Sequence, residues 1–306
     1  MIHTLTELLV ASVALGIPIL LASSAEVVSE RAGVLNMSVE AMMLTGCFTS
    51  VLVAATTGSV IVGTLAGATA GLVVGALQSL LSVTLRADQI VTGIALNTLA
   101  LAGTTFGARL LLSRDTIAPG FDRVAVPLLS DVPVVGPAVF NLPALAYVLA
   151  PLLVLLALAT SRRTGWGLAI DAVGEDATRA DWAGIAVRRI RHLVVLLVGV
   201  ASGLAGSYLA LAQVHTFADN MTAGIGYLAV VAVIAARWKP ALVAVVALVF
   251  GVAQALQFTL PVLGVDLPVA FLVMLPYVLA LAAVAGFVTR SAGPSALTVP
   301  FVRPGH

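Results

Sequence analysis

Residues 59–83 read SVIVGTLAGATAGLVVGALQSLLSV, a run of twenty-five positions without a charged side chain. The run does not alternate polar and apolar as a half-buried strand does, and it lacks the stripe of a surface helix. As a helix rising 1.5 Å per residue it exceeds the roughly 30 Å hydrocarbon core of a bilayer. Gly63, Gly67, Gly71 and Gly75 recur every fourth residue and share one helix face. Helices in lipid gain little by hiding Leu from acyl chains, so close approach at small residues is what joins them. Gly199 and Gly203 repeat the spacing farther on. Such a stripe suits packing within the chain or against a second subunit.

Similar apolar segments lie at about 5–25, 34–56, 89–112, 142–160, 193–213, 223–236, 240–260 and 269–289. Hydrophobic residues make up 60% of the 306 positions and charged residues 9%, where soluble domains carry about 25% charged. The runs are too long and too uniform for barrel strands, which leaves helices as the spanning structure. The expected fold is an all-α polytopic membrane bundle of about 8–10 transmembrane helices. The segment at 223–236 is short for a full crossing, hence a tilted short helix, a broken one or a re-entrant piece. Residues 1–306 are read as one transmembrane domain, with a cytoplasmic loop at 161–192 and a cytoplasmic tail at 290–306. No internal sequence repeat stands out. The first apolar block lacks a basic leader and a small-residue cleavage site and reads as a retained span. The single cysteine, Cys47, excludes an intrachain disulfide and reads as a small buried side chain.

Basic residues orient the bundle. With the loop 161–192 inside, Arg162, Arg163, Arg179, Arg188, Arg189 and Arg191 are cytoplasmic. Nine alternating crossings then place Arg31, Arg86, Arg237, Lys239, Arg290 and Arg303 there too. Only Arg109, Arg114 and Arg123 remain outside, so twelve of the fifteen basic residues share one side. The N-terminus is then outside and the C-terminus inside, with Trp166, Trp182 and Trp238 on the cytoplasmic side.

Several chemistries are excluded. The one lysine, Lys239, sits between Trp238 and Pro240, so there is no phosphate-binding loop ending in Lys-Ser/Thr. His3, His192, His215 and His306 are too scattered for a zinc site, and no Gly-x-Ser-x-Gly elbow is present. Polar groups within the spans are few. Glu40 and Asn36 lie one turn apart in the second segment and would face the same way. A carboxylate at mid-bilayer costs at least about 2–3 kcal/mol unless it faces protein or a wet cavity. It therefore reads either as a path-lining position or as a structural hydrogen bond to a neighbouring helix, as do Gln78 and Asn97. Glu30 and Arg31 read as an interfacial charge pair, and Arg86 and Asp88 as solvated loop residues.

The loop from Ser161 to His192 contains a short helix over residues 174–185, with Asp176 as N-cap and Gly184 as terminator. Ala177, Ala180, Ala183 and Gly184 form a small-residue face suited to lying in a groove of another protein.

Four ordered blocks carry a resemblance. Glu30-Arg31-Ala32-Gly33-Val34-Leu35-Asn36-Met37-Ser38-Val39-Glu40-Ala41-Met42 resembles the opening signature of ABC permeases of the nucleoside/sugar/branched-chain amino-acid superfamily, most of all the shorter permease of nucleoside-type importers. Asp88-Gln89-Ile90-Val91-Thr92-Gly93-Ile94-Ala95-Leu96-Asn97 is similar to a second block. The stretch from Ala172-Val173-Gly174-Glu175-Asp176 to Gly184-Ile185 resembles the cytoplasmic segment that docks on the ATPase. Thr222-Ala223-Gly224-Ile225-Gly226-Tyr227 with Arg237-Trp238-Lys239-Pro240 resembles the fourth, and the tail from Gly293-Pro294 also looks familial. The sequence departs from the family pattern at Asp171 and Ile225, where Arg is common, and at Ala41, where Gly is.

The resemblance implies alternating access driven by partners. These are a separate ABC ATPase carrying ATP and Mg, a second permease, identical or homologous, and an extracytoplasmic solute-binding protein, all in a bacterial inner membrane. It implies no catalytic residue, metal or cofactor on this chain, contacts with membrane lipids, and no nucleic-acid partner. Gly174, Glu175, Ala177, Ala180, Trp182, Gly184 and Ile185 would couple to the ATPase. Asn36, Glu40, Asn97, Gly224 and Gly226 would border the translocation path. The scarcity of charge favours a nucleoside or sugar over a branched-chain amino acid as solute. A stand-alone secondary transporter using Glu40 for ion coupling, or a channel subunit, are the rival readings.

Overall fold

The computed structural model describes residues 2–113, 116–264, 268–287 and 293–303; Arg114, Arg290 and parts of the expected tail lie outside the described residues. Twelve α-helices follow one another: α1 (Ile2–Arg31), α2 (Val39–Thr57), α3 (Val60–Ser79), α4 (Gln89–Leu111), α5 (Val135–Phe140), α6 (Ala144–Ala159), α7 (Gly165–Glu175), α8 (Ala177–Trp182), α9 (Val187–Tyr208), α10 (Ile225–Ala235), α11 (Pro240–Val262) and α12 (Val269–Phe287). π-helical turns at Leu80–Thr84 and Leu209–Val214 prolong α3 and α9. The strands β1 (Arg123–Ala125) and β2 (Asn141–Pro143) pair antiparallel, Arg123 opposite Pro143, in the connection before α6.

The chain is an all-α polytopic membrane bundle. Among the described residues six helices are long and apolar enough to cross a bilayer, and three apolar helices are shorter, at 144–159, 225–235 and 270–286. These nine match the nine apolar segments of the sequence. The short segment is α10, whose eleven residues reach about 16 Å, half a hydrocarbon core.

Two boundaries differ from the sequence reading. The first helix continues to Arg31 and draws Glu26 and Glu30, both fully buried, into the bundle. Glu30 and Arg31 do not pair, because adjacent helical residues point about 100° apart. Arg31 Nε instead donates to Asp171 at 2.8 Å and Nη1 to the Thr160 carbonyl at 3.0 Å. Glu30 accepts from the Trp238 indole at 2.6 Å. Asn36 is not helical: Gly33 adopts φ +83°, ending α1, and α2 begins only at Val39. Asn36 and Glu40 therefore share no helix face. Asp88, read as a solvated loop residue, caps α4 by accepting the Ile90 and Val91 amides at 2.9 Å.

The core has two matching halves. α1 packs along α11 and α3 along α9, with α2 and α10 beside them and α4 and α12 outside those. Each element of the second half comes five apolar helices after its counterpart in the first, with four between them, so helices that each cross the bilayer give counterparts of opposite direction. This is the inverted repeat common among transporters. It also has a sequence trace: Asn36-Met37-Ser38 precedes α2, and Asn220-Met221-Thr222 precedes α10.

The glycine stripes seal these crossings inside the chain. A Cβ on Gly46 would lie 2.6 Å from the Gly203 carbonyl, and one on Gly203 would lie 2.5 Å from that of Gly67. In the other half a Cβ on Gly251 would come within 2.8 Å of the Gly16 Cα. Backbones this close admit no side chain, so the stripe answers to intrachain packing.

Candidate functional site

The two interrupted segments meet. Helix N-termini leave amide donors without intrahelical partners, and each of the two here receives an acceptor from another helix. Asn97 on α4 accepts the Ala41 amide in the first turn of α2 at 2.9 Å and donates to the Met37 carbonyl at 2.8 Å. Glu40, itself in that first turn, reaches across to α10. One of its oxygens accepts from Thr222 Oγ1 at 2.6 Å and the Gly224 amide at 2.7 Å, and the other from the Gly226 amide at 2.7 Å. Both oxygens act as acceptors in these three bonds. The positive ends of two helix dipoles favour a negative group at this point.

The geometry needs specific backbones. Gly224 has φ +89°, a region open to glycine at little cost. A Cβ on Gly226 would sit 2.5 Å from the Glu40 amide nitrogen. The second half repeats the device on its far side, where Tyr277 on α12 donates to the Ala223 carbonyl as Asn97 does to Met37. Tyr227 closes the ring, its hydroxyl accepting from Asn97 Nδ2 at 2.7 Å.

Glu40, Asn97, Gly224 and Gly226 are thus brought together, and Asn36 adjoins them. Its side-chain oxygen accepts from Ser38 N and Oγ, and its backbone N–H donates to Glu26 at 2.9 Å. Asn36 is fully buried, while Glu40 and Asn97 are 7% and 8% exposed. They form a framework whose open side shows Ala223, Tyr227 and Tyr277. The sequence reading missed Glu26, Thr222, Tyr227 and Tyr277. Thr222 and Tyr227 belong to a quoted family block, and the repeated Asn-Met-Ser/Thr triplet points to the same place.

At the end of the bundle bearing Arg31 and Trp238, α7 and α8 form a small lobe. Asp176 caps α8 by accepting the Thr178 and Arg179 amides at 3.0 Å, and Gly184 at φ +84° follows its end. Of the expected small face, Ala177 and Ala180 point inward, while Ala183 and Gly184 lie beyond the end of α8 and are exposed. Ala177 and Ala180 are buried with Ile170, Val173 and Phe301 against Val27, Val194, Val233 and Val243. Gly174 is also buried, since a Cβ there would strike the Arg31 carbonyl. Glu175 and Gly184 are exposed, Ile185 is half-buried, and Trp182 at 73% exposure dominates the outer surface. The tail straps the lobe: Ala296 N donates to the Gly174 carbonyl at 2.8 Å, and Arg303 pairs with Asp181 at 3.0 Å. Asp171 holds both Arg31 and Arg162, at 2.8 and 2.9 Å.

Residues 8–284 match the family model described as branched-chain amino acid transport system / permease component. The guanosine ABC transporter permease protein NupQ of Bacillus subtilis is 32% identical over 313 aligned positions, covering 99% of this chain and 98% of that protein. The putative glucose ABC transporter permease protein TsgC13 of Haloferax volcanii is 38% identical over 255 positions, 82% of this chain and 76% of its own. The nucleoside ABC transporter permease protein NupC of Lactococcus lactis is 32% identical over 298 positions, 94% of this chain and 93% of its own. No solved structure matches.

Proposed function

The chain belongs to the family of permease components of branched-chain amino acid transport systems, and on that premise we propose that it passes a nucleoside or a sugar as one permease subunit of an ABC importer. The observation that carries the solute class is the saturation of Glu40. Its oxygens are taken up by Thr222, Gly224 and Gly226, so the break offers a solute hydroxyl and aromatic groups and no free charge. Tyr227 and Tyr277, 36% and 40% exposed, suit a neutral solute rich in hydroxyls or a stacking base. A zwitterionic amino acid needs partners for both charges. The relatives named for guanosine, nucleosides and glucose point the same way. The same saturation argues against Glu40 as an ion-coupling acid.

In this reading Asn36, Glu40, Asn97, Gly224 and Gly226 form the framework of the path and do not themselves contact solute. Two permeases would enclose the path, a binding protein would deliver solute from outside, and a separate ATPase would supply ATP and Mg. The whole chain would act as one transmembrane domain, with its N-terminus outside and its basic end in the cytoplasm. There the outer surface of α7 and α8, led by Trp182 and bordered by Glu175, Gly184 and Ile185, meets the ATPase. Gly174, Ala177 and Ala180 would serve from beneath, by packing the lobe on the spans. A push on α8 passes through that packing to α1, α9, α10 and α11, a rigid-body transmission suited to alternating access.

Uptake by the complete importer in proteoliposomes tests the solute, with guanosine, glucose and leucine supplied in parallel. ATP-dependent uptake of guanosine or glucose is expected. Uptake of leucine alone would refute the neutral-solute reading, and uptake without ATP or an ATPase would restore the secondary-transporter alternative.

A further inference from the structure

An open groove of about 930 Å3 runs between α1, α6 and α11, at the same end of the bundle as α7 and α8. It extends along α1 from Arg31 to Leu20 and along α6 from Thr160 to Ala150. At 1.5 Å per residue that is about 15 Å, the depth of one leaflet of a roughly 30 Å core. The depths of the groove are apolar, with Leu20, Val27, Leu153, Leu156 and Ala244 on its walls.

The mouth is different. Arg31, Arg162, Arg237 and Lys239 face it, against Asp171 and Glu175. Asp171 is already engaged by Arg31 and Arg162. Among the described residues no carboxylate pairs with Arg237 or Lys239. Arg31 is 5% exposed, and its Nη2 is buried without a hydrogen-bond partner. Pro240 and Ala241 also line the mouth, so α11, twenty-three residues long and uncapped by any side chain, begins there. Arg237 and Trp238 both adopt φ +55°, a left-handed conformation that costs non-glycine residues free energy and clusters where function requires it. Trp238 is held from behind by Glu30. The strained turn thus sets two unpaired cations and a helix N-terminus at the top of an apolar trough.

We propose that this groove is a binding site for an anionic phospholipid of the adjoining leaflet. Its phosphate sits among Arg237, Lys239 and the start of α11, where uncompensated positive charge meets the positive end of a helix dipole. One acyl chain lies along Leu20, Val27, Leu153 and Leu156. A soluble phosphate would use the mouth and leave the trough empty, whereas a phospholipid fits both charge and depth. Basic residues at a membrane surface favour anionic lipid roughly fivefold each, so the pair predicts a preference of roughly 10- to 30-fold over a zwitterionic lipid.

The test is native mass spectrometry of the intact importer, stripped of lipid and titrated with phosphatidylglycerol or phosphatidylcholine. Retention of phosphatidylglycerol with that preference is expected. It should fall about tenfold or more in the paired variant Arg237→Gln/Lys239→Gln, which removes the charge. It should fall likewise in Ala157→Phe, which plugs the trough and leaves the charge alone. Loss of assembly in one variant leaves the decision to the other. Equal retention of the two lipids, or retention unchanged by the variants, overturns the proposal. Displacement of the lipid by millimolar inorganic phosphate also overturns it, in favour of a soluble anion site. A groove that takes lipid only after the second permease is removed is a subunit interface, and that result rejects the lipid site as well.

Discussion

Replacing Glu40 by Ala removes the acceptor of three donors at once. Thr222 can rotate its hydroxyl toward another partner, but the Gly224 and Gly226 amides are fixed by the backbone that Glu40 caps. Each buried donor left unsatisfied costs about 1–3 kcal/mol, which gives about 2–6 kcal/mol for the two amides. The loss should fall on α10, because a helix of eleven residues is too short to hold itself without packing and caps. At about 1.4 kcal/mol per tenfold, local opening should become roughly 30-fold to more than a thousandfold more frequent. Hydrogen–deuterium exchange of the full chain in nanodiscs measures this peptide by peptide. Exchange over residues 224–229 should accelerate by that factor, with the glycine crossing of α3 and α9 unchanged. Glu40→Gln, which keeps one acceptor oxygen, should lie between Ala and the native chain. An Ala variant whose exchange over 224–229 rises less than about fivefold would falsify the capping role.

Thr222→Val should cost about 1 kcal/mol in detergent unfolding, because only one of the three hydrogen bonds to Glu40 is lost. Gly203→Val should fail to assemble or lose at least about 3 kcal/mol, since even a Cβ there meets the Gly67 carbonyl. Gly58→Val faces open space, so it tests strain at a positive φ alone and should cost about 1 kcal/mol in the same assay. Trp182→Ala should leave the thermal transition of the chain unchanged and reduce recovery of ATPase in a pull-down. Ala180→Arg should lower the thermal transition itself, because its site is filled by the chain's own core. Equal effects of these two would mean that the outer face of α8 is not the contact.

The membrane fold is legible because the bilayer imposes it: nine apolar runs in the sequence become nine apolar helices among the described residues. Of the basic positions that the charge count groups on one side, Arg31, the 161–192 loop, the 237–239 turn and the tail meet at one end of the structure. What escapes the sequence is local and polar. Glu26 draws no notice in the sequence and Glu30 reads as half of a charge pair with Arg31, yet packing against α9, α10 and α11 carries α1 past both. Asn36 and Glu40 have helical spacing, but one glycine in a left-handed conformation places Asn36 outside the helix. The alanines of α8 have the pattern of a docking face, and small residues serve equally well to seat a helix on its own bundle. Periodicity gives a face without saying which neighbour covers it. Glu40, Asn97, Gly224 and Gly226 are named together in the sequence as one path, and the fold adds the bonds by which Glu40 and Asn97 hold the ends of α2 and α10.

The strap formed by residues 293–303 makes the lobe a composite of two distant stretches of chain. Ala296 supplies the partner of the Gly174 carbonyl, and Phe301 fills the apolar cluster beneath α8. Lifting the strap would leave that carbonyl unpaired and that cluster open to water, so the stiffness of the lobe is set by a segment more than a hundred residues away in sequence.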